Sequence, residues 1–122
     1  MRKPLSLTCQ DCGEVYEVNS IPYECQKCQG ILWYNPDINI IKEEFTSLKS
    51  FSTFWDCYFC LPRIDEDFHV SIGEGGTICR HSKKLGELLE LNNLYFKDET
   101  QNPTNSFKDR TAALLTSHAR SW

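Results

Sequence analysis

The sequence predicts an α/β chain of about one domain's length, headed by a small ribbon held by cysteines. Three observations predict it. Two Cys-x-x-Cys pairs, Cys9/Cys12 and Cys25/Cys28, fall within residues 1–35 among short β-like runs. Residues 70–122 alternate strand and helix signals. Residues 36–69 connect the two with one amphipathic stretch, and nothing repeats beyond the doubled cysteine pair.

In the first piece, Val15-Tyr16-Glu17-Val18 and Ile31-Leu32-Trp33-Tyr34 are the β-like runs. Two residues between cysteines let a tight turn aim both sulfurs at one ion, and a second such turn completes a tetrahedron. Gly13 and Gly30 stand where a chain leaving such a turn often needs positive φ. Twelve residues separate Cys12 from Cys25, enough for a hairpin that brings the turns face to face. A module of this size buries too little apolar surface to fold alone. Thiolate–metal coordination, on the order of 10–16 kcal/mol, overcomes that deficit. The expectation is a rubredoxin-like zinc ribbon with Cys9, Cys12, Cys25 and Cys28 as ligands. Four thiolates leave no open position, so the metal is structural, not catalytic; the ligand set alone equally admits iron. Disulfides are the weaker explanation, because the cysteine count is seven and no export signal is visible.

In the connector, Phe51, Phe54, Trp55, Tyr58 and Phe59 recur as one face of a helix. Ser50 or Ser52 would cap its start, and Pro62 accounts for its end. Burying each ring is worth roughly 2–3 kcal/mol, so the face needs a partner surface. Nothing N-terminal to it is large enough, which assigns that surface to the third piece or to chain beyond these residues. Cys57 and Cys60 form a third Cys-x-x-Cys with no fourth pair to complete a site, and Cys79 stands alone. They read as bystanders, with a redox pair at Cys57/Cys60 as the minority reading.

In the third piece, Leu85, Leu88 and Leu89 mark a short helix, and Leu94-Tyr95-Phe96-Lys97 a strand. Asn102-Pro103-Thr104-Asn105-Ser106-Phe107-Lys108-Asp109-Arg110 follows. Pro103 forbids helix before it, and Asn105 tolerates a left-handed turn. Ser106 with Asp109 resembles a shortened capping box, so a helix should begin near Ser106 with Lys108 in its first turn. The positive end of the helix dipole disfavours an ammonium there by roughly 0.3–1 kcal/mol. That presses the amine toward the neutral form that Schiff-base chemistry uses.

Charge and hydropathy exclude other classes. The 122 residues carry 13 Lys plus Arg against 17 Asp plus Glu, a net charge of −4, with no basic block. The cationic surface that drives nucleic-acid or anionic-lipid binding is therefore missing. No apolar run approaches the ~18 residues of a membrane span. Met1-Arg2-Lys3-Pro4 is followed by polar residues rather than an apolar signal region, which predicts a cytoplasmic protein.

The string from Asn102 to Arg110 closely resembles the NPTGSFKDR signature of threonine synthases. Ser71-Ile72-Gly73-Glu74-Gly75-Gly76-Thr77 is similar to their SLGEGxTPL segment. Leu94-Tyr95-Phe96-Lys97-Asp98-Glu99 is similar to their LYxKxE strand, and Trp55 through Pro62 to their WRYxxLLP element. A subset of these enzymes also has an N-terminal CxxCG…CxxCxG ribbon. The resemblance runs from about Cys9 to the last residue, in consistent order.

The resemblance implies a pyridoxal-phosphate enzyme of the tryptophan-synthase-β-like fold (fold type II), of which this chain is the first, incomplete α/β part behind the ribbon. Lys108 would be the Schiff-base lysine, with Ser106 and Phe107 also at the cofactor. The reaction implied is O-phospho-L-homoserine and water to L-threonine and phosphate. Asp109 would position Lys108 or only cap; Arg110 would form a salt bridge more readily than hold an anion; Glu74 would be solvated. Three residues depart from the family: Asn105 and Thr111 stand for Gly, and Ile78 for Pro. Such departures fit a relative such as a cysteate-synthase-like enzyme. Family members are several times longer, and their phosphate-cradling loop lies beyond Trp122. The chain therefore reads as an N-terminal fragment, inactive alone, whose partners would be a C-terminal half or further copies of itself. An incomplete parallel sheet would expose an unpaired edge. The reading from another class is a zinc-ribbon interaction module that catalyses nothing.

Overall fold

The computed structural model describes residues 6–17 and 22–121. Met1 through Pro4, Val18 and Trp122 lie outside the described residues. The chain divides into two compact units, Met1–Leu48 with Tyr58–Arg63, and Lys49–Cys57 with Ile64–Trp122.

The first unit is built on a three-stranded antiparallel sheet. Strand β1 (Ser6–Cys9) lies between β2 (Val15–Glu17) and β3 (Leu32–Asn35). Leu7 pairs with Tyr16 on one side and Tyr34 on the other, and its side chain is buried. Alternation then puts Cys9 on the same face, also buried. Helix α1 (Ile38–Ser47) follows, capped by Asp37, whose carboxylate accepts the N–H groups of Asn39 and Ile40. Phe45 of α1 packs edge-on against Phe59, with ring centroids 5.1 Å apart. Tyr34 donates its hydroxyl hydrogen to the Leu61 carbonyl at 3.1 Å.

The aromatic stripe of the connector departs from expectation. Phe54–Cys60 is a 3-10 stretch broken at Cys57 (φ −101°, ψ 25°), not an α-helix. Its start is held not by Ser50 or Ser52 but by Asp56, which reaches back to the N–H groups of Ser52 and Thr53 at 2.6 and 2.8 Å. The kink divides the stripe between the units: Phe51, Phe54 and Trp55 belong to the second, Tyr58 and Phe59 to the first. The cover for Phe59 therefore includes an N-terminal residue, Phe45, against the expectation that nothing N-terminal is large enough to cover the stripe. Trp55 stacks on His69 at 3.7 Å and donates its indole N–H to the Val70 carbonyl.

The second unit holds β4 (Cys79–His81), α2 (Lys83–Leu88), β5 (Tyr95–Lys97) and α3 (Lys108–Arg120). Strands β4 and β5 pair antiparallel in a two-stranded sheet. The reason is local: Ser82 donates its N–H to the Leu94 carbonyl at 2.8 Å, closing the α2 excursion so that the chain returns beside itself. Leu85, Leu88 and Leu89 stay exposed, so the short apolar face of α2 has no cover among the described residues. Buried side chains in this unit are mostly polar: Glu74, Thr77, Asn102, Asp109 and Ser117, with Ala113. Hydrogen bonds, more than apolar packing, fix its interior. Among the described residues no helix is long and apolar enough to cross a membrane.

Candidate metal centre and lysine-bearing segment

The two cysteine turns repeat one backbone pattern. The N–H of Cys9 donates to the Glu14 carbonyl and that of Cys25 to Gly30, at 2.9 and 3.0 Å. Gly13 returns its N–H to the Cys9 carbonyl, and Gln29 to Cys25. The residue at that return point must be left-handed. Gly13 has φ 74°, as anticipated, but in the second turn Gln29 takes the position with φ 63°. Gly30 is needed for room instead, since a Cβ there would run into the Asp11 carboxylate and the Cys9 sulfur.

These turns bring the sulfurs of Cys9, Cys12, Cys25 and Cys28 within 4.8 Å of one another. Cys9 and Cys28 are 3.5 Å apart, and Cys12 and Cys25 3.6 Å. A tetrahedron with metal–sulfur bonds of about 2.3 Å sets its sulfurs about 3.8 Å apart, so the cluster is compatible with zinc. Cys9 and Cys25 are buried; Cys12 and Cys28 are exposed. The Tyr16 hydroxyl beside Cys25 draws that thiol down to about 6. The Gly30 amide also lowers Cys28, but the Cys12 and Cys9 sulfurs together outweigh it and push that thiol up to about 12. Such divergence follows when several thiols share one small space. Cys57 and Cys60 are half-buried and Cys79 is exposed; none joins the four-sulfur group.

The lysine segment is fixed by its backbone. Lys108 is the first residue of α3. The capping-box expectation shifts: the Ser106 hydroxyl accepts the Lys108 N–H at 3.2 Å, while Asp109 reaches past Ser106 to the N–H and hydroxyl of Thr104. Asn105 has φ 59°, the left-handed turn its side chain tolerates. Its amide donates to the Thr100 carbonyl at 2.6 Å, which ties the side chain back to its own loop. Ser106 is half-buried and Phe107 is 63% exposed. The Lys108 side chain is exposed and makes no polar contact among the described residues, so its amine is available to a carbonyl group.

Around this loop runs a network that sequence reasoning largely missed. Arg110 donates to Glu99 through Nε at 2.8 Å and Nη2 at 2.9 Å, and through Nη2 to Thr77 at 3.2 Å. The salt-bridge reading of Arg110 is therefore the observed one. Arg110 holds the Glu99 carboxyl down to about 2. Asn102, 2% exposed, accepts the Gly75 N–H and donates to the Glu99 carbonyl and carboxylate. Ile78, in place of proline, keeps an N–H that donates to Gln101 at 3.1 Å. Against the expectation that it is solvated, Glu74 is fully buried. One of its oxygens accepts from Ser71 and the Ile72 N–H, and the other has no hydrogen-bond partner among the described residues.

Residues 70–121 match the family model described as pyridoxal-phosphate dependent enzyme. The chain is 38% identical over 105 residues to the threonine synthase of Methanosarcina acetivorans, covering 85% of this chain and 25% of that protein. It is also 38% identical over 105 residues to the threonine synthase of Methanocaldococcus jannaschii, covering 84% and 26%. The chain thus spans about a quarter of the length of these relatives. No solved structure matches it.

Proposed function

We propose that this chain, similar to threonine synthases over most of its length, is the N-terminal part of such an enzyme, with Lys108 as the lysine that carries pyridoxal 5′-phosphate. The whole protein would convert O-phospho-L-homoserine and water to L-threonine and phosphate. The observation that carries the reading is the setting of Lys108: first residue of α3, amine uncommitted, and flanked by Asn102 and Arg110, both bonded to Glu99. When bound, the cofactor supplies an electron sink for charge developing at the substrate's Cα. Lys108 would hold it and then carry protons to and from the substrate's Cα and Cβ. Ser106 orients the lysine's backbone through its bond to the Lys108 N–H, and the exposed Phe107 ring offers an apolar surface at the same turn.

The four-cysteine group is read as a structural zinc site that holds the first unit together. The cofactor's phosphate loop and the partner of its ring nitrogen are assigned by resemblance to residues other than these 122, so the chain alone is not expected to turn over substrate. A C-terminal half or further copies of the chain would complete it, in the cytoplasm. Borohydride reduction after incubation with pyridoxal 5′-phosphate, then peptide mapping, tests the reading. With the chain joined to the remaining three-quarters of the Methanosarcina relative, the expected label lies on Lys108 and is lost in Lys108→Ala. A label elsewhere, or none, overturns it.

A further inference from the structure

We infer that Glu99 is the positioning residue for Lys108, closing the lysine's loop from both ends; this deepens the reading above and rests on it. The Glu99 carboxylate accepts four side-chain hydrogen bonds. Its Oε2 takes Asn102 Nδ2 at 2.9 Å and Arg110 Nε at 2.8 Å. Its Oε1 takes the Thr77 hydroxyl at 2.7 Å and Arg110 Nη2 at 2.9 Å. Asn102 opens the loop that leads to Lys108, and Arg110 lies two residues beyond it. One anion therefore joins both flanks, while Thr77 links them to the glycine turn at residues 73–76.

The remaining bonds of the loop, from Asp109 to Thr104 and from Asn105 to Thr100, stay within residues 100–109. They shape the loop; besides Glu99, the Gly75 N–H bonded to Asn102 and the Ile78 N–H bonded to Gln101 tie its leading end to the glycine-turn strand, whereas on the Arg110 side the side-chain tie runs to Glu99 and Thr77. The Lys108 side chain is exposed at the first residue of α3, so what the fold holds directly is its backbone, the point from which the amine extends. Glu99, bonded on both sides of Lys108, thereby fixes the origin of that side chain. Replacing Glu99 by Gln keeps size and shape, but its NH2 group must then face a guanidinium N–H of Arg110 in either orientation, and Asn102 Nδ2 as well in one of them. Either orientation opens the clamp.

The chain joined to the remaining three-quarters of the Methanosarcina relative tests this by two readouts, amide hydrogen exchange at residues 104–107 and borohydride trapping of pyridoxal 5′-phosphate at Lys108 and Lys42. In Glu99→Gln, exchange at 104–107 is expected to rise roughly tenfold. Exchange at Cys9 and Cys25 in the other unit stays unchanged. The share of label on Lys108 relative to Lys42, also in the other unit, falls. Thr77→Val removes one of the four bonds and gives a smaller shift in the same direction, which decides the matter if Glu99→Gln does not fold. Unchanged exchange and unchanged labelling overturn the inference. A wild-type Lys108 that labels no better than Lys42, with exchange still raised in Glu99→Gln, overturns the cofactor reading and leaves the clamp standing.

Discussion

The Tyr16 hydroxyl accepts the Gln26 N–H at 3.0 Å and lies 3.2 Å from the sulfur of Cys25, within reach to donate its hydrogen to that sulfur as a thiolate. A residue of β2 thereby holds the second cysteine turn by both backbone and ligand. The contact spans nine residues, four of which lie outside the described chain, and no spacing rule points to it. Hydrogen bonds of this kind orient a metal ligand and set how much charge the sulfur keeps.

Tyr16→Phe removes that hydrogen bond and leaves the ring in place. Loss of metal to a chelator should accelerate about tenfold, the lower end of what such supporting bonds contribute. A cobalt-loaded sample should show its sulfur-to-metal absorption shifted. Identical release rates and spectra would refute the role given to the hydroxyl.

Freshly purified chain should contain roughly one zinc per molecule by elemental analysis. Cys25→Ser should abolish stoichiometric metal and, with it, the slow exchange of β1 amides, because the ribbon has little else to hold it. Iron in place of zinc would leave the architecture intact and change the identity of the ion. Metal-free protein with a folded sheet would end the metal reading.

Glu99 ionises at about 2 in the folded chain, below its ordinary 4.5, chiefly because Arg110 hydrogen-bonds to it. The unfolded chain takes up the proton first as pH falls, so this stabilisation is complete above about 4.5 and is lost as pH falls toward about 2. The urea midpoint of the second unit should drop across that window, and Glu99→Gln should flatten the drop. Arg110→Ala should cost about 1–2 kcal/mol at neutral pH, since the pair is 21% and 28% exposed and solvent screens part of it.

Ser117 is fully buried, and its hydroxyl accepts the Val70 N–H at 2.7 Å. Ser117→Ala strands that N–H without an acceptor and should destabilise the second unit by about 1–3 kcal/mol in denaturant titration. Ser117→Thr restores the acceptor but adds a methyl group in a filled space, so it should recover only part of the loss.

What was legible in the sequence acts over a few residues. The cysteine spacings bring four sulfurs together because each turn is a local backbone motif. Pro103 and Asn105 set the start of α3 through their own dihedral preferences. The Arg110 ion pair was readable as the plainest use of that charge. Helix α1 also carries a local start signal, Pro36-Asp37 ahead of Ile38, Ile41 and Phe45. Other features needed the third dimension. Periodicity at Phe51 through Phe59 suits a helix, yet the contacts of Phe59 with Phe45 and of Trp55 with His69 divide the stripe. Burial of Glu74 depends on the chain folding over the glycine turn, which composition cannot reveal.

The two units are interleaved along the polypeptide: Tyr58–Arg63 belongs with the sheet and α1, while Lys49–Cys57 belongs with the lysine segment. No single cleavage can therefore yield two self-sufficient pieces. Excising the ribbon at residue 48 would discard the Phe59 ring that meets Phe45 and the Leu61 carbonyl that Tyr34 uses. Beginning the other piece at residue 64 would discard Trp55, the stacking partner of His69. Dissection by truncation would mistake these losses for intrinsic instability; point substitutions within the intact polypeptide avoid that error.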